Sequence, residues 1–341
     1  MKSKTIGLAV VALGLALAVI ALVVRFVIFP GQAQWPNDVD SIRDYDGTLH
    51  VMLNPQALSA MDLANVFLRD VPTTLSRHVT TEGTQGDKAV VLEVATMFGP
   101  GGQEMLASET WYAIDRKTMM AVSPASVSEL QNAENVSDRE GLVIGFPIGT
   151  AAETYRGWSS DYQTTMDVNY VTEEERSGLN TFVFESSSPP KETLDPEMLA
   201  IFPPALPKDL LVTLAQTLDL PAAMSERFAT ILPDLADPVP LKYTYEYETT
   251  YWVEPSTGVL IDYSKHESYQ AALSIEGIPV PVPITPVFEQ SYKMSPSSIQ
   301  EAAKDANDAK SQLQTFGTAV PLALGAIGVL LVIFGAFLAQ R

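Results

Sequence analysis

The chain has 341 residues, enough for one large domain or two ordinary ones, and its 21 Lys+Arg against 41 Asp+Glu give a formal net charge of −20. Residues 1–29 hold only Lys2, Lys4 and Arg25, and residues 320–341 only Arg341, so the middle keeps 17 basic against 41 acidic side chains, a net of −24 that repels nucleic acid and anionic headgroups. With no cysteine, thiolate nucleophiles, disulfides, redox pairs and cysteine-based zinc sites are excluded.

After residues 1–4, read as a cytoplasmic N-terminus, the stretch from Thr5 to Val24 contains no charge and is long enough as a helix to cross a hydrocarbon core of about 30 Å. The reading is a transmembrane helix over 5–29. The apolar part of a cleaved signal is usually only about 7–15 residues. The small residues Gly31 to Ala33 would nevertheless suit a signal peptidase, so cleavage after Ala33 is the alternative. Arg25, just past the apolar run, reads as a membrane-interface anchor whose stem lies along lipid while its guanidinium reaches the headgroups.

Residues 30–294 predict an extracytoplasmic β-rich domain. Short segments rich in β-branched and aromatic residues, separated by turn signals, mark strands over 47–54, 74–83, 88–98, 107–122, 167–174, 178–186, 240–254, 258–273 and 284–295. In one of them Tyr243, Tyr245, Tyr247 and Tyr251 share a face opposite Lys242, Glu246 and Glu248, as in an antiparallel sheet with one packed and one wetted face. Asn54-Pro55 starts a predicted helix over 55–70, and two Pro-started helices follow near 207–219 and 221–232. The polar and alanine-rich segment 295–315 reads as a stalk helix. It leads into a second transmembrane helix over 316–339 and a two-residue cytoplasmic end, 340–341. Gly325, Gly328 and Gly335 either leave room there for close helix contact, matched by Gly7, Gly14 and Ala18 on the first span, or only reflect how common glycine is in membrane helices. Two lysines and the free amine before the first span, against one arginine after it, put both termini in the cytoplasm of a two-pass plasma-membrane protein. The fold class expected is membrane-anchored α+β, mainly β: an antiparallel ectodomain between two transmembrane helices.

Two hairpins resemble each other, 113–122 and 252–261, through either an internal duplication or shared turn chemistry. The motifs "WYAIDRKTMMAV", "GFPIGTAAETYRGWSSDY" and "YWVEPSTGVLIDY", in that order, resemble the PorA family of actinobacterial membrane proteins over nearly the whole chain. The resemblance implies an actinobacterial cell-envelope protein with an extracytoplasmic β-rich domain, and it supplies no activity and no functional residues. Here "YRGWSS" intervenes before Asp161, a departure from the family pattern.

No catalytic signature is present: there is no HExxH, GxSxG, Walker loop or dinucleotide fingerprint. "GPGGQE" (99–104) reads as a hairpin turn, and the acidic 171–178 as a solvated turn rather than a calcium loop. His50, His78 and His266 lack metal-ligand spacing and read as structural or solvent-facing; no metal or cofactor is expected. Asp115 and Glu254 fall at hairpin tips, where an acid bonds its own backbone. The alternation of Pro with aliphatics over 275–288 predicts an extended or edge segment. Its functional reading is a ligand- or membrane-contacting lip formed by Ile275, Ile278, Val280, Val282, Ile284, Val287 and Phe288; its structural reading is a crossing segment tucked under the sheet.

The leading functional reading is a non-enzymatic, doubly anchored envelope domain that binds a lipid, an envelope glycolipid or an envelope protein partner, with a homo-oligomer left open. The alternatives are an oligomeric channel, which the family label suggests, and a hydrolase with an unrecognised site.

Overall fold

The computed structural model describes residues 2–217, 230, 235–273 and 281–340. The strands are β1 (Asp40–Leu53), β2 (Phe67–Gln85), β3 (Lys88–Phe98), β4 (Glu104–Asp115), β5 (Tyr155–Ser159), β6 (Thr164–Arg176), β7 (Leu179–Glu192), β8 (Ala205–Leu206), β9 (Val239–Glu254), β10 (Val259–Leu273) and β11 (Val282–Met294). They form one antiparallel sheet in the order β4-β3-β2-β1-β11-β10-β9-β7-β6-β5, with β8 pairing off β9. Period-two alternation sets its faces: Leu241, Tyr243, Tyr245 and Tyr247 are buried on one side of β9, while Lys242 and Glu248 point the other way.

The sheet is rolled into a half-barrel. Asp161, in the β5–β6 turn, accepts a hydrogen bond from Tyr269 of β10 at 2.6 Å, although three strand spacings, about 14 Å on a flat sheet, separate those elements. At one end, here the base, single bridges join the two edges: Ile114 to Ala121, Met120 to Leu142, and Leu142 to Gly157. Above them β4 and β5 are not hydrogen-bonded to each other. The base is filled by Phe146, Phe184, Val253, Ile114 and Val91, and the far end by Leu49, Phe202, Leu241, Tyr243 and Phe288.

The terminal helices leave from the base. Trp35 exchanges hydrogen bonds with the β4 tip, its N–H donating to the Arg116 carbonyl at 2.7 Å and its carbonyl accepting from Arg116 Nε at 2.8 Å. Helix α1 (Lys2–Val23) runs on through a π-helical turn, Val24–Ile28, to Gln32. At the other end α5 (Pro296–Gln314) continues through a second π-helical turn, Thr315–Ala319, into α6 (Val320–Gln340). Lys4–Gln32 and Pro296–Gln340 are each long and apolar enough to cross a membrane. α1 and α6 touch backbone to backbone. A Cβ on Gly14 would stand 2.5 Å from the Gly328 carbonyl oxygen, and one on Gly7 2.7 Å from that of Gly335, so these positions require glycine.

The alanine stripe of α5 lies against the sheet instead of standing clear of it as a stalk. Where β11 stops, α5 takes its place beside the lower halves of β1 and β10: Ser295 N–H donates to the Asp44 carbonyl at 2.9 Å, and Asp44 N–H to Ser298 Oγ at 2.8 Å. The β1 edge is thereby satisfied. Ala303 and Ala306 pack on Leu179 and Ile261, an approach only a small side chain allows, and Arg43 pairs with Asp305.

Three local elements differ from expectation. The helix expected over 55–70 is only α2 (Pro55–Ser59): the Asn54 cap forms, but Met61 turns to a left-handed φ of 57°, and Phe67 onward pairs with β1 as strand. The tryptophan-bearing β5 and the short helix α3 (Pro196–Ile201) were not expected. Helix α4 (Lys208–Thr217) matches the first of the Pro-started pair, whereas 221–232 falls almost wholly outside the described residues. β11 has neighbours on both sides over 288–293; the described part of the segment expected as extended or edge, with Pro283 and Pro286, does pair with β10 alone, through two register shifts that absorb the missing donors.

Candidate functional site

On β10 the residues Tyr263, Lys265, Glu267 and Tyr269 share a parity that turns them to the concave face. Lys265 Nζ lies 2.6 Å from Glu267 Oε2, which also accepts from Tyr245 Oη at 2.7 Å, while Gln290 Nε2 donates to Oε1 at 2.6 Å. A second pair, Arg77–Glu93, faces the lumen from β2 and β3; the Tyr112 hydroxyl donates to Glu93 at 3.1 Å. Burial alone would disfavour the charged form of each of these four groups. The partners reverse it: Glu267 and Glu93 sit below, and Lys265 and Arg77 well above, their ordinary values, so both pairs stay charged.

Tyrosines fill the space between the pairs. Tyr45, Tyr251, Tyr263 and Tyr292 meet with ring centroids 5.2–5.9 Å apart. Burial pushes all four hydroxyls up, so they remain donors. Although deep inside the roll, Arg77, Glu93 and Lys265 keep 25, 16 and 20 % of their side-chain surface accessible, which marks a solvent-reachable lumen at mid-height between two apolar plugs. Asp161 closes one side. It is 9 % exposed, its Oδ1 also faces Thr193 Oγ at 3.2 Å, and burial raises its pKa to about 6 despite the Tyr269 hydrogen bond.

The convex face carries a groove of about 550 Å³ lined by Asp46, Thr48, Glu248, Ser264, His266 and Ser291, among others. There His50 Nε2 and His266 Nδ1 each lie 2.9 Å from Ser291 Oγ. Ser291 sits mid-strand, paired with Thr48 of β1 and His266 of β10, beside the bulge that His50 makes in the β1–β11 ladder. Among the described residues no group of three or more His, Asp or Glu is arranged to hold a metal ion.

Of the segment singled out in the sequence, Ile275, Ile278 and Val280 lie outside the described residues, and Val282 begins β11. Ile284 packs half-buried against the far-end core, where Val287 and Phe288 are buried. Arg25 is exposed on the π-helical turn, 5.9 and 5.6 Å from the Phe26 and Phe29 ring centroids. At the hairpin tips Asp115 accepts from Thr118 N–H and Oγ, and Glu254 from Thr257 N–H and Oγ, the same local turn chemistry twice. The acidic 171–178 ends in a two-residue turn, Ser177-Gly178, with φ of 49° and 76°. Sequence reasoning missed the lumen charges. The signal was available: Lys265 and Glu267 alternate with tyrosines on one strand face, where charge is not expected unless paired. His50 and His266 are joined only by the β1-β11-β10 order, which no local pattern announces.

The family model "Porin PorA" matches residues 6–337. A curated relative from Corynebacterium resistens, named Porin PorA, is 23% identical over 401 aligned positions that cover 99% of this chain and 97% of the relative. Both matches run through the two apolar helices and the whole rolled sheet, and the chain belongs to the porin PorA family.

Proposed function

We propose that this chain is a two-pass protein of the cell membrane, both termini cytoplasmic, that holds a non-enzymatic, ligand-binding half-barrel on the outer side. The observation that carries the binding reading is the lumen: paired charges and tyrosine hydroxyls at mid-height, still accessible, between apolar plugs. Few fixed polar groups in an otherwise apolar concavity suit an amphiphile, its polar head at the tyrosine belt and its chain toward the far end, where Ile284, Val287 and Phe288 join the core. A lipid or an envelope glycolipid fits that description. The anchoring reading is supported by the glycine contacts of α1 and α6 and by α5, which continues without a break in helix from the sheet wall into the second apolar helix. At about 1.5 Å per residue, the 45 residues of Pro296–Gln340 span about 68 Å, more than twice a hydrocarbon core.

Native mass spectrometry of the detergent-purified full chain tests the binding reading. Retention of a lipid-sized ligand that is lost in Lys265→Met/Glu267→Gln supports it; ligand-free protein from membranes that contain every candidate lipid contradicts it. The name of the Corynebacterium resistens relative, Porin PorA, favours a second reading, an ion-conducting channel. The apolar helices carry no polar stripe, so such a pore would be lined only in an oligomer. Planar-bilayer recordings separate the two readings: unitary conductance that scales with protein load supports the pore, and silence removes it.

A further inference from the structure

From the charge pairing and the hydroxyls of the lumen we infer the head-group class of its ligand: an uncharged polyhydroxyl head, a sugar, carried on a lipid chain, and not a phosphate or other anion. The inference rests on the amphiphile reading and narrows it.

The cations of the lumen are already engaged. Lys265 is held by Glu267, and Arg77 gives both Nε and Nη2 to Glu93. Arg139, the next one along, donates to the Trp111 carbonyl at 2.7 Å, stands 4.9 Å from the Tyr112 ring centroid and adds its field to that of Arg77 on Glu93. A phosphate at mid-height would have to pull Lys265 or Arg77 out of its pair and leave a carboxylate unpaired inside the roll. It would also face Asp161, which can add only negative charge. Hydroxyls are supplied instead. Tyr45, Tyr251, Tyr263 and Tyr292 lie between the two pairs, and burial keeps all four protonated, so each hydroxyl can donate as well as accept. That of Tyr251 has no hydrogen-bond partner among the described residues. The only buried side-chain nitrogen or oxygen atoms without a partner there are Arg176 Nε and Thr244 Oγ, so the Tyr251 hydroxyl opens into the lumen and not into packed core. A sugar meets both features: its hydroxyls exchange hydrogen bonds with such groups, its C–H faces pack on tyrosine rings, and it brings no charge to desolvate.

Native mass spectrometry of the full chain, purified in a detergent that has no sugar head, compares three lipids with identical acyl chains: a monoglucosyl diacylglycerol, phosphatidylglycerol, and diacylglycerol with no further head group. The parent protein should hold the glucosyl lipid about tenfold more tightly than phosphatidylglycerol. Tyr251→Phe keeps the ring and removes the open hydroxyl, and should narrow the gap between glucosyl lipid and diacylglycerol. Glu267→Gln releases the Lys265 ammonium and should raise the affinity for phosphatidylglycerol about tenfold, a gain that damage to the fold would not produce. Equal retention of the glucosyl lipid and phosphatidylglycerol by the parent, or a preference for phosphatidylglycerol, overturns the head-group inference and leaves the amphiphile reading standing. Retention of none of the three overturns both. The comparison of head groups on the parent protein needs no variant to fold, and a melting temperature within about 2 °C of the parent separates a lost contact from a lost fold in Tyr251→Phe.

Discussion

Replacing Asp161 by asparagine should remove a pH dependence from the stability of the whole half-barrel. The carboxyl is buried among Tyr269, Thr193 and the more distant Lys265, Glu267 and Asp195, and burial raises its pKa from 3.8 to about 6. A raised acid binds its proton more tightly in the folded chain. Its stabilising contribution is therefore complete below about pH 4 and is lost as the pH climbs through 6. Two pH units at about 1.4 kcal/mol each give a loss of about 3 kcal/mol between pH 4 and pH 7. Asparagine keeps an oxygen to accept from Tyr269 and Thr193 but cannot ionise. The surrounding pairs, Lys265–Glu267 and Arg77–Glu93, titrate alike in both proteins and cancel in the comparison. Thermal melting of parent and Asp161→Asn in one detergent, at half-unit steps from pH 4 to 7.5, reads the difference. At roughly 2 °C per kcal/mol for a chain of this size, the parent should lose about 6 °C relative to the variant, centred between pH 4 and 6. Curves that stay parallel across that range would refute a buried, desolvated carboxyl at the lumen wall.

Lys265→Met should cost about 3–5 kcal/mol by leaving Glu267 charged and unpaired inside the sheet, and adding Glu267→Gln should recover much of it; chemical denaturation of the single and double variants checks both. Gly14→Ala should destabilise by about 1–3 kcal/mol, because its Cβ would press on the Gly328 carbonyl, whereas Gly31→Ala, with nothing within 4 Å, should leave the melting temperature unchanged. Thr257→Val should loosen the β9–β10 tip by about 1 kcal/mol through loss of the hydroxyl that Glu254 accepts, seen as faster amide exchange at Gly258 and Val259.

What could be read from residues alone follows the reach of the interaction concerned. β3 was expected over 88–98 and occupies Lys88–Phe98, since alternation and flanking turns are local. The glycines of the apolar helices pointed to close contact for the same reason: a small residue at a repeated spacing is both the signal and the cause. The helix expected over 55–70 failed where a long-range partner intervened, β1 drawing Phe67 onward into the sheet. The polar and alanine pattern of 296–314 suited a free stalk equally well, and only the early end of β11 shows that alanines are needed to lie against Leu179 and Ile261. The lumen depends on curvature, and the Asp161–Tyr269 contact exists only because the sheet rolls.

The absence of cysteine makes the central claim, an outer domain held by two embedded helices, directly measurable. Ser128→Cys in an exposed loop of the domain and Gln340→Cys at the end of α6 give two chains with one thiol each. With a membrane-impermeant maleimide applied to intact cells, the position-128 thiol should label fully and the position-340 thiol only after lysis. Equal labelling of both, or protection of position 128 until lysis, would contradict the account.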